Sequence, residues 1–263
     1  MKLFAPTLRF YQASLMATLT YRWSLIQLVL GEMIGTVGLV LFWYQAAKHS
    51  PSGIYTTDEI IIYFLFATLH IIQGDSGINK NLSLDIRSGK LAASLIRPFP
   101  PLLSYVAQGL AVMSFRTIVL SPLLFAACFI VFGHFVTFTS LFEYFLAIIL
   151  MILISCEMGT ILGLLAFKMT QTWASEIIYL SFYFVFSGTS YPVDSLAPVF
   201  QQVIKVLPFY YLCGFPASLL LGHKSIEVFF LELSIGSTWC VVLFFLLQWM
   251  WRKGQGTFES VGI

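Results

Sequence analysis

The dipeptide Gly89-Lys90 is the part of the chain that most resembles a nucleotide-binding motif. A phosphate-binding loop needs a glycine five residues earlier and a Ser or Thr after the lysine, because backbone N–H groups cradle the phosphates and the hydroxyl binds Mg²⁺. Leu84 and Leu91 occupy those two positions. No HExxH zinc motif and no GxSxG nucleophile motif occurs either. The sequence therefore predicts no catalytic residue, no metal site and no bound cofactor, and it disfavours an intramembrane hydrolase.

Three charged residues lie within apolar runs, namely Glu32, Arg116 and Glu157. Charges in such segments are costly in lipid and usually face the interior of a helix bundle or a water-filled path. For Glu32, a place on a transport route or at a subunit contact and a purely structural ion pair both remain open. For Arg116 we favour a structural pair, or a side chain that extends to the inner membrane interface.

Two glycine pairs with GxxxG spacing lie in the same apolar runs. Gly31 and Gly35 are followed by Gly38, and the missing side chains allow another helix to approach closely. We predict that this glycine face (Gly31, Gly35 and Gly38), with Glu32 beside it, contacts another subunit or lines a translocation path. For the second pair, within 159–163, packing inside the molecule is the favoured interpretation.

Residues 78–101, here called the basic loop, separate two apolar runs. Their sequence predicts a short amphipathic helix that runs to Ser88 and stops at Gly89, a typical C-terminal cap. A second turn then ends at the prolines that begin with Pro98. The basic loop either tethers two spans and sets the topology, or it provides a docking surface for a soluble partner.

The composition of the chain indicates that the elements holding these residues belong to a membrane protein. Of the 263 residues, 59% are hydrophobic and 10% are charged, whereas a soluble domain carries about 25% charged residues. A spanning helix needs about 20 mostly apolar residues. The sequence predicts an all-α membrane protein with one transmembrane domain over residues 1–263. Its six predicted spans lie at 23–47, 60–74, within 102–133, 141–167, 177–190 and 233–251.

The distribution of Lys and Arg predicts the orientation, because cytoplasmic loops are enriched in these residues. Ten of the 14 fall on one side, three fall on the other, and Arg116 lies in a span. Both termini are therefore predicted to be cytoplasmic. The predicted cytoplasmic residues are Lys2, Arg9, Arg22, Lys80, Arg87, Lys90, Arg97, Lys168, Arg252 and Lys253, and the outer ones are Lys48, Lys205 and Lys224.

Two further segments are predicted not to span. Residues 4–21 have apolar positions three and four apart, which predicts a helix lying in the cytoplasmic membrane interface. Residues 191–224, here called the outer segment, are apolar but contain four prolines, and a straight span does not hold so many helix breakers. We predict an outer re-entrant hairpin of two short helices between spans five and six.

Several sequence patterns together resemble the bacterial type 2 ABC exporter permeases. In the basic loop they are Ile86-Arg-Ser-Gly-Lys-Leu and Leu95-Ile-Arg-Pro. The resemblance continues in order along essentially the whole chain. The further matches are Ser187-Gly188, Tyr191-Pro192, Leu207-Pro208-Phe-Tyr-Tyr211, Gly222 and Trp251-Arg-Lys-Gly254 with Phe258, Val261 and Gly262.

The resemblance implies a multi-pass permease of the bacterial plasma membrane that works with partners. ATP and Mg²⁺ would bind two copies of a separate ABC ATPase, and the second permease would be another copy of this chain or a close relative. The helix at 4–21 would be the interfacial elbow helix, and the outer segment would form the outer gate, through Gly188, Tyr191, Pro192 and Pro208. The ATPase-coupling residues would be Asp85, Arg87, Gly89, Lys90, Arg97 and Pro98.

The expected mechanism is alternating access driven by the ATPases, with few charges in the spans favouring an amphiphilic or lipid-like cargo. The net charge of +2 gives no reason to expect a nucleic-acid partner. The main alternative is a self-contained secondary transporter or channel. Such proteins often contain internal repeats with broken helices in both halves, whereas this chain has a breaker-rich segment only in its second half. A non-transporting scaffold or membrane anchor is a further alternative.

Overall fold

The computed structural model describes residues 4–20, 22–49, 55–133, 137–169, 171–256 and 258. Within these residues every regular element is helical, which confirms the all-α prediction. The α-helices are α1 (Phe4–Thr20), α2 (Arg22–His49), α3 (Thr57–Gly74), α4 (Ile78–Arg87), α5 (Leu91–Leu95), α6 (Pro101–Phe132), α7 (Phe138–Leu164), α8 (Trp173–Phe186), α9 (Pro198–Val206), α10 (Gly214–Leu219) and α11 (Ile226–Gln255). Short 3₁₀ turns lie at Leu165–Phe167, Val193–Ser195 and Pro208–Leu212.

Five stretches of the described chain are long and apolar enough to cross a membrane. They are Ile26–Ala46, Thr57–Arg87, Pro101–Phe132, Phe138–Phe167 and Ile226–Gln255. These stretches overlap the first, second, third, fourth and sixth predicted spans, although the second runs past the predicted end at 74 and through α4. The chain is a multi-pass membrane protein. At the predicted fifth span lies α8, which is apolar but has only 14 residues, or roughly 21 Å of helix.

The core of the bundle forms around α7. Its inward side buries Ala147, Met151 and Ile154 completely, and it contacts α4, α6, α10 and α11. Gly159 and Gly163 face inward as expected, because an added side chain would come within 2.9 Å of Ser76 at the first and 3.0 Å of Leu82 at the second. In contrast, only 6% of the apolar stretch in α2 is buried. α2 therefore lies at the edge of the chain.

Helix α3 is capped at both ends by identifiable side chains. At its start the Thr56 N–H donates to Glu59 Oε2 (2.7 Å), and the Thr56 hydroxyl accepts from the Glu59 N–H (3.4 Å). At its end Arg116 of α6 donates from Nη1 to the carbonyls of Ile72 (2.8 Å) and Asp75 (2.7 Å). A cation there satisfies free carbonyls and complements the helix dipole. Arg116 thus has the structural role that we favoured.

Helix α1 packs against the first half of α6. The Tyr11 and Ser114 hydroxyls lie 2.7 Å apart, and the Phe10 ring stacks on Phe99 at 5.2 Å. The predicted helix at 4–21 is therefore present over Phe4–Thr20, and Tyr21 lies outside the described residues. The outer segment contains two short helices, α9 and α10, as its prolines indicated.

We predict that Arg116→Met destabilises the protein by about 1–3 kcal/mol, since it removes a charged donor from two carbonyls at the end of α3. Thermal unfolding in detergent should show a lower Tm. Arg9→Met provides the control, because Arg9 is exposed on α1. Equal Tm values for the two variants would contradict the capping role.

Candidate functional site

The basic loop folds as a compact pair of helices, α4 and α5, between α3 and α6. α4 ends where the Ser88 N–H donates to the Leu84 carbonyl (2.9 Å). Gly89 follows with φ of +72°, a backbone conformation that glycine adopts without steric cost. α5 then runs to Leu95 before the chain reaches Arg97-Pro98. The predicted helix, its end and the second turn are all present.

One face of the basic loop is buried in the bundle. Ile78, Leu82, Ile86 and Leu91 are each at most 5% exposed. They join a cluster with α6, α7 and the end of α11. Each buried aliphatic side chain of this size contributes about 1.5–3 kcal/mol relative to exposure. The basic loop is therefore part of the folded bundle and differs from a loose tether.

The opposite face of the basic loop carries most of the predicted coupling residues. Arg87, Lys90, Arg97 and Pro98 are exposed, and among the described residues the three cations form no salt bridge. Ile96 is 86% exposed beside them. Ile96 lies in the run Leu95-Ile-Arg-Pro, but it is not among the predicted coupling residues. The result is a mixed basic and apolar surface.

Asp85 and Gly89 differ from the other predicted coupling residues. Asp85 Oδ2 accepts a hydrogen bond from the Tyr105 hydroxyl of α6 at 2.6 Å, so its carboxylate ties the basic loop to the bundle. Gly89 is half-buried at the turn between α4 and α5. Both residues therefore stabilise the structure of the basic loop and contribute little to its exposed face.

A cavity of about 380 Å³ lies between α2, α3, α7 and α8, directly beside the first turn of α4. Its polar lining includes Glu32, Lys80 and Glu176, and Tyr179 and Tyr183 add aromatic surface. Glu176 also accepts a hydrogen bond from Asn79 Nδ2 (3.2 Å), which links α8 to α4. The structure thus brings the predicted path residue Glu32 together with residues of the basic loop.

The glycine face of α2 is open. Gly31, Gly35 and Gly38 are exposed, and a side chain added at any of them would meet no described atom within 4 Å. Ile34 on the same helix is 78% exposed. Nothing in the described chain packs against this surface. Glu157, in contrast, lies on α7 with Oε2 buried and without a hydrogen-bond partner among the described residues.

The predicted gate residues form the base of the outer segment. Gly188 has φ of +82°, and its carbonyl accepts a hydrogen bond from the Tyr63 hydroxyl of α3 at 2.7 Å. Pro192 and Pro208 are buried, and the Tyr191 hydroxyl donates to the Val185 carbonyl. These residues attach the outer segment to α3 and to the end of α8.

A family model described as "ABC-2 family transporter protein" matches residues 33–262, which include the basic loop, the outer segment and all of the cavity lining except Leu28 and Glu32. The chain belongs to the ABC-2 transporter family. A comparison with curated protein sequences gives no match. As an ABC-2 family member the chain is the membrane permease of an ABC transporter, and membership implies a partner ATPase in general.

The ABC-2 permease also contains an ionic cluster that sequence reasoning missed. Glu232 of α11 is 3% exposed and pairs with Lys224 and with Lys205, whose Nζ lies 3.5 Å from Oε1. Lys205 also pairs with Asp194 at 2.6 Å, and the Tyr55 hydroxyl donates to Asp194 at 2.8 Å. This outer ionic cluster (Asp194, Lys205, Lys224 and Glu232) joins the outer segment to α11 and to the residues before α3.

A signal for the outer ionic cluster was present in the sequence. The predicted sixth span began after Glu232, so this carboxylate was not counted among the charges within spans. The helix begins at Ile226, which places Glu232 in an apolar run. A charge there needs a partner, and Lys205 and Lys224 were the two nearby outer cations.

Two groups of the outer ionic cluster, Asp194 and Lys205, have pKa values shifted in favour of their charged forms. Burial would raise the pKa of Asp194, but Lys224, Lys205 and the hydrogen bond from Tyr55 outweigh burial and hold the pKa below its ordinary value. Burial would lower the pKa of Lys205, but Asp194 and Glu232 raise it above its ordinary value. Because the opposite charges favour each other's ionised forms, the pair stays charged around neutral pH.

We predict that the contribution of Asp194 to stability is lost in acid. The pKa of Asp194 is lower in the folded than in the unfolded chain. The stabilisation by Asp194 is therefore complete above its pKa in the unfolded chain, about 3.9, and disappears as the pH falls through its pKa in the folded chain. Asp194→Asn should cost about 1–3 kcal/mol at neutral pH. The difference in Tm between the two proteins should shrink towards zero near the acid end of the profile.

Thermal unfolding between neutral and strongly acidic pH provides the measurement. Glu227→Gln serves as the control, because Glu227 is exposed in the first turn of α11. A Tm difference between wild type and Asp194→Asn that stays constant with pH would contradict the charge pairing.

Proposed function

We propose that this ABC-2 permease is the membrane half of an exporter and that a separate ATPase docks on the basic loop. The observation that carries the proposal is the two-sided character of that loop. One side is buried in the bundle, and the other exposes Arg87, Lys90, Ile96 and Arg97. ATP and Mg²⁺ belong to the ATPase, and this chain catalyses no reaction of its own. Two permeases and two ATPases make the complex.

The proposed topology has six spans with both termini in the cytoplasm of a bacterial cell. α8 supplies the fifth span, although its helix is short for a bilayer core of about 30 Å. The outer segment follows α8 directly and extends the crossing as a re-entrant hairpin. Irregular backbone at membrane depth needs surrounding protein, and 211–220 is buried throughout. The excess of Lys and Arg on one side supports this orientation.

The proposed mechanism transmits movement from the basic loop to the cavity. When ATP draws the two ATPases together, the basic loop moves with them. α4 carries Asn79 and Lys80 at the cavity, and Asn79 is bonded to Glu176 of α8. ATP can shift this equilibrium only because the ATPases bind it more tightly when closed. The cavity then opens to the other side of the membrane, with the outer segment as the gate.

The lining of the cavity supports an amphiphilic or lipid-like cargo. Apolar side chains from α2, α3, α7 and α8 make up much of its surface, including Leu28, Ile71 and Leu180. A few polar groups lie among them at the end nearer the basic loop. This combination suits a molecule with an apolar body and a polar end.

The second permease is proposed to pack on the glycine face of α2. Small residues let helix backbones approach closely in a bilayer, and Gly31, Gly35 and Gly38 have no partner among the described residues. Because the cavity lies between α2 and α8, a second permease at this face would close its open side.

We predict that Arg87→Glu and Arg97→Glu each weaken capture of the ATPase. A reversed charge at the docking surface replaces attraction by repulsion, and the retained amount should fall about tenfold. The measurement is co-purification from native membranes in mild detergent, with ATP hydrolysis assayed in the eluate. Lys48→Glu is the matched control, since it reverses an exposed cation at the end of α2.

An intact chain that captures no ATPase would contradict the proposal and favour a self-contained transporter. Equal capture by Arg87→Glu, Arg97→Glu and wild type would place the docking surface elsewhere.

We predict that Gly35→Trp separates the two permeases without unfolding either. A bulky ring on the glycine face prevents close helix approach, so the mass of the purified complex should fall to that of one permease with its ATPase. Native mass spectrometry makes the measurement. Ile130→Trp is the control, because Ile130 is 81% exposed on α6. A complex that keeps two permeases after Gly35→Trp would exclude this face as the contact.

A further inference from the structure

The end of α11 presents a face on which aromatic and cationic side chains are adjacent. Phe245 and Trp249 are 67% and 56% exposed, and Arg252 and Lys253 follow one turn later, also exposed. A shallow groove runs along this face and is lined by Phe244, Phe245, Gln248, Trp249, Arg252 and Lys253. The groove therefore begins on a membrane-crossing surface and ends among charges.

The packing of α11 fixes the direction in which this groove faces. Trp251 is 9% exposed and its ring lies 6.0 Å from that of Phe167. Gly254 is buried, and any side chain at that position would collide with Phe167. The helix cannot rotate to hide Trp249 and Arg252 without breaking these contacts.

The positive charges of the groove have no acidic partner within the described chain. Neither Arg252 nor Lys253 forms a salt bridge there. Lys253 Nζ lies 5.1 Å from the centre of the Trp249 ring, a cation–π distance that orders the ammonium without neutralising it. Lys168, directly after Phe167, is exposed as well. Within the described residues, no carboxylate neutralises this end of α11.

We propose that this groove binds an anionic phospholipid of the inner leaflet. The headgroup phosphate lies at Arg252 and Lys253, and an acyl chain follows Phe244 and Phe245 towards the bilayer centre. Basic side chains immediately cytoplasmic of a span attract anionic headgroups, and Trp occupies the headgroup level. The proposal rests on the cytoplasmic orientation of the α11 end.

A lipid fits this groove better than a soluble acidic protein does. The apolar part of the groove lies along a helix that crosses the membrane, where a soluble partner has no access. A free phosphate ion would satisfy the cations but leave Phe245 and Trp249 uncovered. A phospholipid matches both parts with one molecule.

The test uses the purified permease alone, in detergent, titrated with phosphatidylglycerol or phosphatidylcholine of the same acyl chains. Native mass spectrometry measures the fraction of protein that retains each lipid. We expect the intact chain to prefer phosphatidylglycerol by about tenfold or more, from two basic residues near the headgroup. Arg252→Gln with Lys253→Gln should bring the ratio close to one. Lys48→Gln, at an exposed cation of α2, should leave it unchanged.

Three outcomes would overturn the proposal. The first is a double variant that keeps the full lipid preference while eluting as a folded monodisperse species. The second is displacement of phosphatidylglycerol by an equal concentration of inorganic phosphate, which would assign the site to a free anion. The third is loss of ATPase capture by the same double variant in the separate co-purification while its lipid ratio stays unchanged, which would assign the groove to the partner. Because no ATPase or ATP is present in the titration, its result is independent of the docking experiment.

Discussion

The burial of one face of α4 against α7 is the contact on which the rest of the arrangement depends. Ile78 and Leu82 are almost fully buried there, and Gly163 of α7 leaves the space that Leu82 fills. Such packing transmits displacement because protein interiors are as dense as organic crystals and have little free volume. A partner that moves the exposed face of the basic loop must therefore also move α7.

The outer segment is held by charge pairs in addition to apolar packing. Glu232 pairs with two lysines inside a region from which water is largely excluded, and removing one member of such a set leaves a buried charge without a partner. In contrast, α2 is mostly exposed, and of the α8 side chains only Tyr183 is buried. The cavity thus lies between the well-packed helices α3 and α7 and the loosely packed helices α2 and α8.

Much of the fold could be predicted from the sequence, because its signals are local. Long apolar runs predict spanning helices, and Gly89 correctly predicts the end of α4. The exposed glycine face also follows from spacing alone. The outer ionic cluster could not be predicted in this way, since its members come from positions 194 to 232 and meet only after the outer segment folds back. The bond between Asp85 and Tyr105 was missed for the same reason. α8 ends at Phe186, and Gly188 just beyond it has φ of +82°, which is typical of a helix terminator. The predicted fifth span runs past this glycine to residue 190.

The coupling of the basic loop to α7 is tested most directly by distances between spin labels in the complex with the ATPase. Labels at Leu84 and Leu153 report on the basic loop and α7, and labels at Leu84 and Val37 report on the basic loop and α2. All three positions are exposed, and Cys240 is replaced by Ser to leave buried cysteines only. The account predicts that ATP leaves the first distance unchanged and shifts the second. A first distance that changes with ATP while α7 stays in place would show that the basic loop moves independently of the bundle, which would contradict the account.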